Sequence, residues 1–266
     1  MTSAYLTPNP DYGNGIYRRA LRLTNRAPGE VFGELEDMVH AMRCSISHAD
    51  GVVTAVKGEF VRWPMTTCPG AVAQLQMLVG IRLDTPVGWF FSEGRARRNC
   101  THFYDLAIAM LFHARRDEAV RRYDVVIPDH PGPDPVRASL LRNGKVALEW
   151  LVAADSTILS PEPFAGRKPM AGFSSWATEI LDPETLDMAL VLQKGYWQSG
   201  ARRALTGLLR GPIMGREDQH KGVCHTFSSP QFEQAVRVPS WRDFTDGSEL
   251  LEFLPIPENR GTPSPQ

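Results

Sequence analysis

The 266-residue chain contains no apolar run approaching the roughly 20 residues that a membrane-spanning helix needs. It also lacks a charge excess of either sign, since 29 Lys and Arg stand against 30 Asp and Glu for a formal charge of −1. That balance speaks against nucleic acid as the main partner, which calls for a marked basic excess, and against an acidic disordered tail. The opening residues, MTSAYLTPNP, show neither a basic start nor an apolar stretch, so no secretory signal is visible and a cytoplasmic location is expected. Cysteine is scarce: Cys44, Cys68, Cys100 and Cys224 lie far apart, with no CxxC pair. In a reducing compartment such thiols do not form structural disulfides, which leaves packing, metal ligation or nucleophilic chemistry as their roles. Gly80, Gly88 and Gly94 make no phosphate-binding spacing, and there is no internal repeat.

What is present suits one large domain or two small ones, at roughly 100–200 residues each. Residues 1–15 read as an irregular lead-in. A short strand is expected at Ile16–Thr24, carrying Arg18, Arg19 and Arg22. From Val31 to Ile46 the composition is that of a strand, with Met38, Met42, Cys44 and Ile46 on one face at period two. His48-Ala49-Asp50-Gly51 supplies a hairpin turn, and Val52–Trp63 returns as the second strand. Ala71–Gly80 has the spacing of a short helix, 85–99 reads as a loop with an aromatic anchor, and Thr101–Arg115 as a longer helix capped by Asn99. A strand at Tyr123–Ile127 precedes a Pro/Gly linker and a second hairpin, Val136–Leu141 with Val146–Val152, around Asn143-Gly144. Glu184–Leu208 is expected to be helical, with interruptions at Gly195 and Gly200. The tail, Pro255–Gln266, holds four prolines and is expected to be disordered.

Two segments carry chemistry. Asn99-Cys100-Thr101-His102 sits at a helix start, and Gly222-Val223-Cys224-His225 lies far downstream. Thiolate and imidazole are the usual donors to zinc and related metals, and four such groups make a tetrahedral shell. The bland alternative is that each cysteine is packing and each histidine a hydrogen-bonded core or surface residue. A third reading needs only Cys100: a helix N-terminus preceded by Arg95, Arg97 and Arg98 favours the thiolate, with His102, His220 or His225 as partner base. The same arginines suit the carboxylate or phosphate of a substrate. Arg18-Arg19 suits an anion but reads most simply as exposed strand decoration, and Trp63, Trp89, Phe90 and Phe91 suit an aromatic pocket and core packing equally.

RNCTHFYDLAIAM (98–110) and VCHTF (223–227) resemble the paired motifs of a bacterial family known only as a domain of unknown function. There, a Gly-Cys-Thr-His-Leu segment opens a helix and a Cys-His segment lies near the C-terminus. The likeness covers roughly Ile16 to Trp241, including Tyr17-Arg18-Arg19, Cys68-Pro69 and Leu78-Val79-Gly80. Asn99 stands where that family has glycine, and Phe103 where it has leucine. Members often accompany genes for aromatic or acyl-CoA catabolism, which implies a small anionic organic or acyl substrate. A more distant likeness runs from Gly33 to Leu111, whose order of hairpin, cysteine loop, small-residue helix and cysteine at a helix start is similar to the NifU-type iron–sulfur scaffold. By position it pairs Cys68 and Cys100 at one end of the sheet and places Asp37 near that family's aspartate. No cysteine precedes the first long strand, and Asn99 stands where that family has histidine.

These readings predict a two-layer α+β domain with an antiparallel sheet and helices on one face. A NifU-like core at 16–116 would be followed by an annex at 117–254. The expected function is that of a zinc- or iron-dependent enzyme with a small-molecule substrate and neither nucleic acid nor membrane as partner. Its expected ligands are Cys100, His102, Cys224 and His225, with Cys68 or Asp37 as alternates, and Cys100 and His102 are the expected catalytic residues. Arg95, Arg97 and Arg98 are expected to hold the substrate's anion. The alternatives are a metal or sulfur carrier without turnover, and a metal-free enzyme with Cys100 as nucleophile.

Overall fold

The structure is a computed structural model, and it describes residues 7–170, 172–205 and 210–253. Eight strands form one antiparallel sheet: β1 (Ile16–Ala27), β2 (Glu30–Asp37), β3 (Ala41–Ala49), β4 (Val52–Arg62), β5 (Val120–Pro128), β6 (Val136–Arg142), β7 (Lys145–Val152) and β8 (Ile158–Ser160). Their order across the sheet is β4-β3-β2-β1-β5-β6-β7-β8. β1 lies at the centre and pairs with β2 on one side and β5 on the other. The sheet therefore runs continuously across the expected border between core and annex, and the fold is α+β.

The two hairpins follow turn chemistry. Asp50 and Gly51 both have positive φ, as do Asn143 and Gly144, which is the conformation that two-residue hairpin loops require and that Asp-Gly and Asn-Gly tolerate best. The stretch 31–46 is not one strand. The Asp37 carboxylate accepts hydrogen bonds from the backbone N–H groups of Val39 (2.9 Å) and His40 (2.8 Å), folding Asp37–His40 into a turn that separates β2 from β3.

After β4, Cys68–Leu78 forms a 3₁₀ helix rather than the expected α-helix over 71–80. Two short helices, α1 (Val87–Phe91) and α2 (Arg95–Arg98), occupy the stretch expected to be a loop. α3 (Thr101–His113) begins with Cys100, not Asn99, at its N-cap. Asn99 instead ends α2, its side-chain amide donating to the carbonyl of Arg95. α4 (Phe173–Ile180) precedes α5 (Pro183–Ser199), which is capped by Asp182 through the N–H groups of Glu184 and Thr185. Gly195 does not interrupt α5. Its missing side chain lets the helix lie against β5, where a Cβ would come within 2.6 Å of Val125. The final residues of the expected helix, 206–208, and the tail 255–266 lie outside the described residues.

α3 packs on β1, β2 and β3, and α5 on β1, β5, β6 and β7. Leu21, Leu23, Leu35, Leu106, Met110, Tyr123, Val125, Leu190 and Trp150 belong to the resulting core. On the alternate face of β1, Ala20 packs with Phe244, Leu250 and Leu251 from the C-terminal region. The lead-in is anchored, since Asp129 accepts from the N–H groups of Gly13 and Gly15. No helix among the described residues is long and apolar enough to cross a membrane.

Candidate metal centre

At the end of the sheet where β2 turns into β3, three donors converge. Asp37 closes β2, His40 ends the turn, and His102 projects from the first turn of α3. One ligand atom from each lies within 4.8 Å of the other two, and all three residues are buried. Among the described residues this is the group of three or more Cys, His, Asp or Glu side chains that meets that spacing. Donors bound at about 2.0–2.2 Å around one ion stand roughly 3–4 Å apart, which lies inside that limit.

Hydrogen bonds fix Asp37 and His40, and ring stacking places His102 against them. The Nδ1 of His40 lies 3.0 Å from Asp37 Oδ1 and 3.3 Å from Oδ2. Tyr17 Oη donates to Asp37 Oδ2 at 3.3 Å, and Arg19 Nη1 stands 3.5 Å from the same oxygen. The rings of His40 and His102 are stacked, with centroids 3.7 Å apart. The turn is braced from outside. Buried Arg62 donates to the carbonyls of Met38 and Asp37 and to Glu36, and also reaches the carbonyl of Ser240. The Arg242 N–H donates to the Met38 carbonyl.

The electrostatics leave the donors in the forms a cation needs. Burial alone would raise the Asp37 carboxyl, but His40, then His102 and Arg19, hold it well below the ordinary carboxylate range. Burial, reinforced by the charges of His40 and Arg19 and opposed by Asp37, pushes His102 well below the usual imidazole value. Asp37 is thus a carboxylate and His102 a neutral imidazole near neutral pH. The buried Nε2 of His102 makes no hydrogen bond of ordinary geometry, although the Gln198 side chain comes near enough to the ring to favour its protonated form.

The four residues expected as ligands do not form such a group. His102 belongs to the centre, and Cys100 Sγ lies 4.0 Å from its Nδ1. The downstream segment returns to the same neighbourhood: the His225 N–H donates to the Asn99 carbonyl at 2.9 Å, and the Thr226 hydroxyl donates to Cys68 Sγ at 3.4 Å. The His225 imidazole lies against the start of the Cys68–Leu78 3₁₀ helix, its Nε2 being 3.2 Å from where a Cβ on Gly70 would sit. Cys68, Cys100 and Cys224 are near enough to raise one another's proton affinity, yet they do not close to within 4.8 Å as a set. Of the two alternates, Asp37 takes part in the centre and Cys68 does not.

The Cys100 thiol is not activated. Burial, then the neighbouring Cys68 and Cys224, push it well above the ordinary thiol value, and the opposing backbone amides of Phe103 and His102 do not overcome this. Burial likewise raises Cys68 to about 11 and Cys44 to about 12. The three arginines expected to hold an anion serve their own loop or point to solvent. Arg95 donates to the Trp89 carbonyl, Ser92 Oγ and Glu93, and stacks on Trp89. Arg98 donates to the Glu93 carbonyl, and Arg97 is exposed.

Two residues of the site escape the sequence reading. His40 is hidden because the period-two pattern continues through a turn. Asp37-x-x-His40, a turn-forming carboxylate followed by an imidazole, is the signal that marks it. Arg19, expected to be exposed, is 1% accessible and faces Asp37 directly across the β1–β2 ladder. Compared with known proteins, the chain matches no family model and no curated protein.

Proposed function

We propose that the protein is a metal-dependent enzyme whose ion, zinc or iron, is held by Asp37, His40 and His102. The observation that carries this reading is the convergence of three buried donors from a strand end, a turn and a helix start. A carboxylate and two imidazoles suit zinc as the three-ligand set of a catalytic site, and suit non-haem iron as the two-histidine, one-carboxylate arrangement. Such an ion leaves positions open, where it lowers the pKa of a bound water or polarises a substrate oxygen. The residues around it would do the remaining work. Tyr17 and Arg19 would orient Asp37, and the Arg62 brace would keep the turn from opening when the ion departs.

Within this reading Cys100 is a neighbour of the centre and not its nucleophile, since a thiol raised by burial is a poor one near neutral pH. A small organic or acyl substrate remains part of the proposal. A carrier would give its metal up to a partner, whereas an enzyme holds it through turnover.

Elemental analysis of untagged protein tests the reading. About one zinc or iron per chain is expected, with loss in His40→Ala and His102→Ala and retention in Cys44→Ser. Metal-free protein, or metal unaffected by both histidine substitutions, would refute it.

A further inference from the structure

Trp197, in the last turn of α5, leaves its side chain 54% exposed, and Met170 is 38% exposed. Both line one cleft of about 270 Å³. Large apolar side chains left in water around a concave surface mark a binding site rather than a packing fault. The walls come from distant parts of the chain: Tyr12 from the lead-in, Ile127 from β5, Val136 from β6, Ser156 from the β7–β8 connection, and Tyr196 with Trp197 from α5. None of Asp37, His40 or His102 lines the cleft, which sets it apart from the metal centre.

Two of its three aromatic walls are pinned. Tyr12 Oη donates to the His130 carbonyl at 3.3 Å and accepts from the His130 N–H at 3.2 Å, while Tyr196 Oη donates to Ser156 Oγ at 3.2 Å. The phenol groups are thus used within the protein, and what these residues offer a ligand is ring surface. The charge of the cleft is decided by two adjacent arginines. Asp129 is the carboxylate among the lining residues, and it is taken: Arg202 Nε donates to it at 2.7 Å, and so do the N–H groups of Gly13 and Gly15. Arg203, next in the chain and itself a lining residue, is exposed and pairs with no carboxylate among the described residues. Its guanidinium lies 4.9 Å from the centroid of the Tyr12 ring. The cleft therefore combines three rings with one uncompensated positive charge.

We propose that this cleft binds a planar, two-ring aromatic monocarboxylate, its rings among Tyr12, Tyr196 and Trp197 and its carboxylate on the Arg203 guanidinium. A cavity of about 150 Å³ takes one benzene ring, so about 270 Å³ leaves room for a second fused ring. Aromatic walls favour a flat ring over a flexible chain, because rings meet through offset stacking and edge contacts beyond the area they bury, and a flat body loses no rotamer freedom on entry. The planar guanidinium matches a carboxylate two-pronged. With Asp129 neutralised by Arg202, no free carboxylate on the lining opposes an anion, and a single spare cation suits one negative charge better than several. The site goes beyond the metal reading and does not depend on it.

Calorimetric titration of the full chain with 2-naphthoate tests the site, with 2-naphthamide as the neutral analogue and octanoate as the flexible acid. Saturable binding of 2-naphthoate is expected, with both comparators weaker. Arg203→Gln is expected to weaken 2-naphthoate about tenfold, the loss of one charged hydrogen-bond partner, and to leave 2-naphthamide unchanged. Trp197→Ala is expected to weaken both. Each substituted side chain is exposed, so the fold does not rest on it, and the amide serves as the control for Arg203→Gln. Protein stripped with a chelator is expected to bind 2-naphthoate as the untreated protein does. No saturable signal, an amide or octanoate affinity equal to that of 2-naphthoate, or undiminished 2-naphthoate affinity in Arg203→Gln would each overturn the proposal. Loss of binding on chelation would place the acid on the ion instead and overturn it too.

Discussion

The imidazole of His102 lies nearly flat on that of His40, with ring centroids 3.7 Å apart and planes inclined by 26°. One ring comes from the turn after β2 and the other from the start of α3, 62 residues later in the chain. Two protonated imidazoles at that distance would repel each other in a buried site. The pair is therefore best matched to a state in which at least one ring is neutral and offers a lone pair.

Replacing either ring separates ligation from folding. His40→Ala and His102→Ala are each expected to lower metal affinity by well over the 10–100-fold typical of substitutions behind the ligands, with circular dichroism little changed. Tyr17→Phe, which removes one hydrogen bond to Asp37, is expected to fall near or below that range. Competition against a chromophoric chelator measures all three.

Arg62 is predicted to be a stability residue. Its guanidinium is buried and joins Glu36 to the carbonyls of Met38, Asp37 and Ser240. Arg62→Met leaves the Glu36 carboxylate buried with only part of its partners, and removal of one member of such a pair costs about 3–5 kcal/mol. Arg242, 3.2 Å from the same carboxylate, keeps the loss toward the lower end. Urea unfolding measures it.

Gly195→Ala sets two effects against each other. Alanine in a helix interior gains about 1 kcal/mol over glycine, but here its Cβ would meet Val125 Cγ1 at 2.6 Å and Cβ at 3.2 Å. A β-branched strand residue has no free rotamer to swing into, and overpacking costs about 1–3 kcal/mol. A net loss of stability is expected from the thermal midpoint; a gain would mean that α5 lifts off the sheet without penalty.

His113, at the end of α3, is fully buried, and neither ring nitrogen makes a hydrogen bond of ordinary geometry, the Ala119 backbone being close to the ring. Burial lowers its pKa below the ordinary histidine value, against the pull of the Ala119 backbone and Glu118. The unfolded chain therefore binds the extra proton first, once pH falls below about 6.5. Its contribution is full above that value and declines as pH falls from 7 toward 5. His113→Phe is expected to shrink the difference between urea midpoints at pH 7 and pH 5. An unchanged difference would show that His113 titrates normally.

The hairpins were readable because Asp50-Gly51 and Asn143-Gly144 state their turn type locally, and the α3 helix because its apolar residues run unbroken. The site was readable only in part. Cys100 and His102 stand out as a thiol and an imidazole at a helix start, but which of them faces the β2–β3 turn depends on packing that no local pattern encodes. Asp37 enters only as an alternate ligand, and the turn with His40 escapes, because alternation of buried residues continues on both sides of a turn, so that period two reads straight through it. Arg19 was missed because a strand arginine is exposed or buried according to what covers the sheet, and here α3 and α5 cover it.

X-ray absorption at the metal edge is the direct test of the Asp37, His40 and His102 centre, because it reports which atoms touch the ion. With protein loaded with one equivalent of zinc, the expected first shell is nitrogen and oxygen scatterers at about 2.0–2.2 Å and no sulfur. A sulfur shell at about 2.3 Å would place the ion on Cys68, Cys100 or Cys224 and contradict the Asp37, His40 and His102 centre.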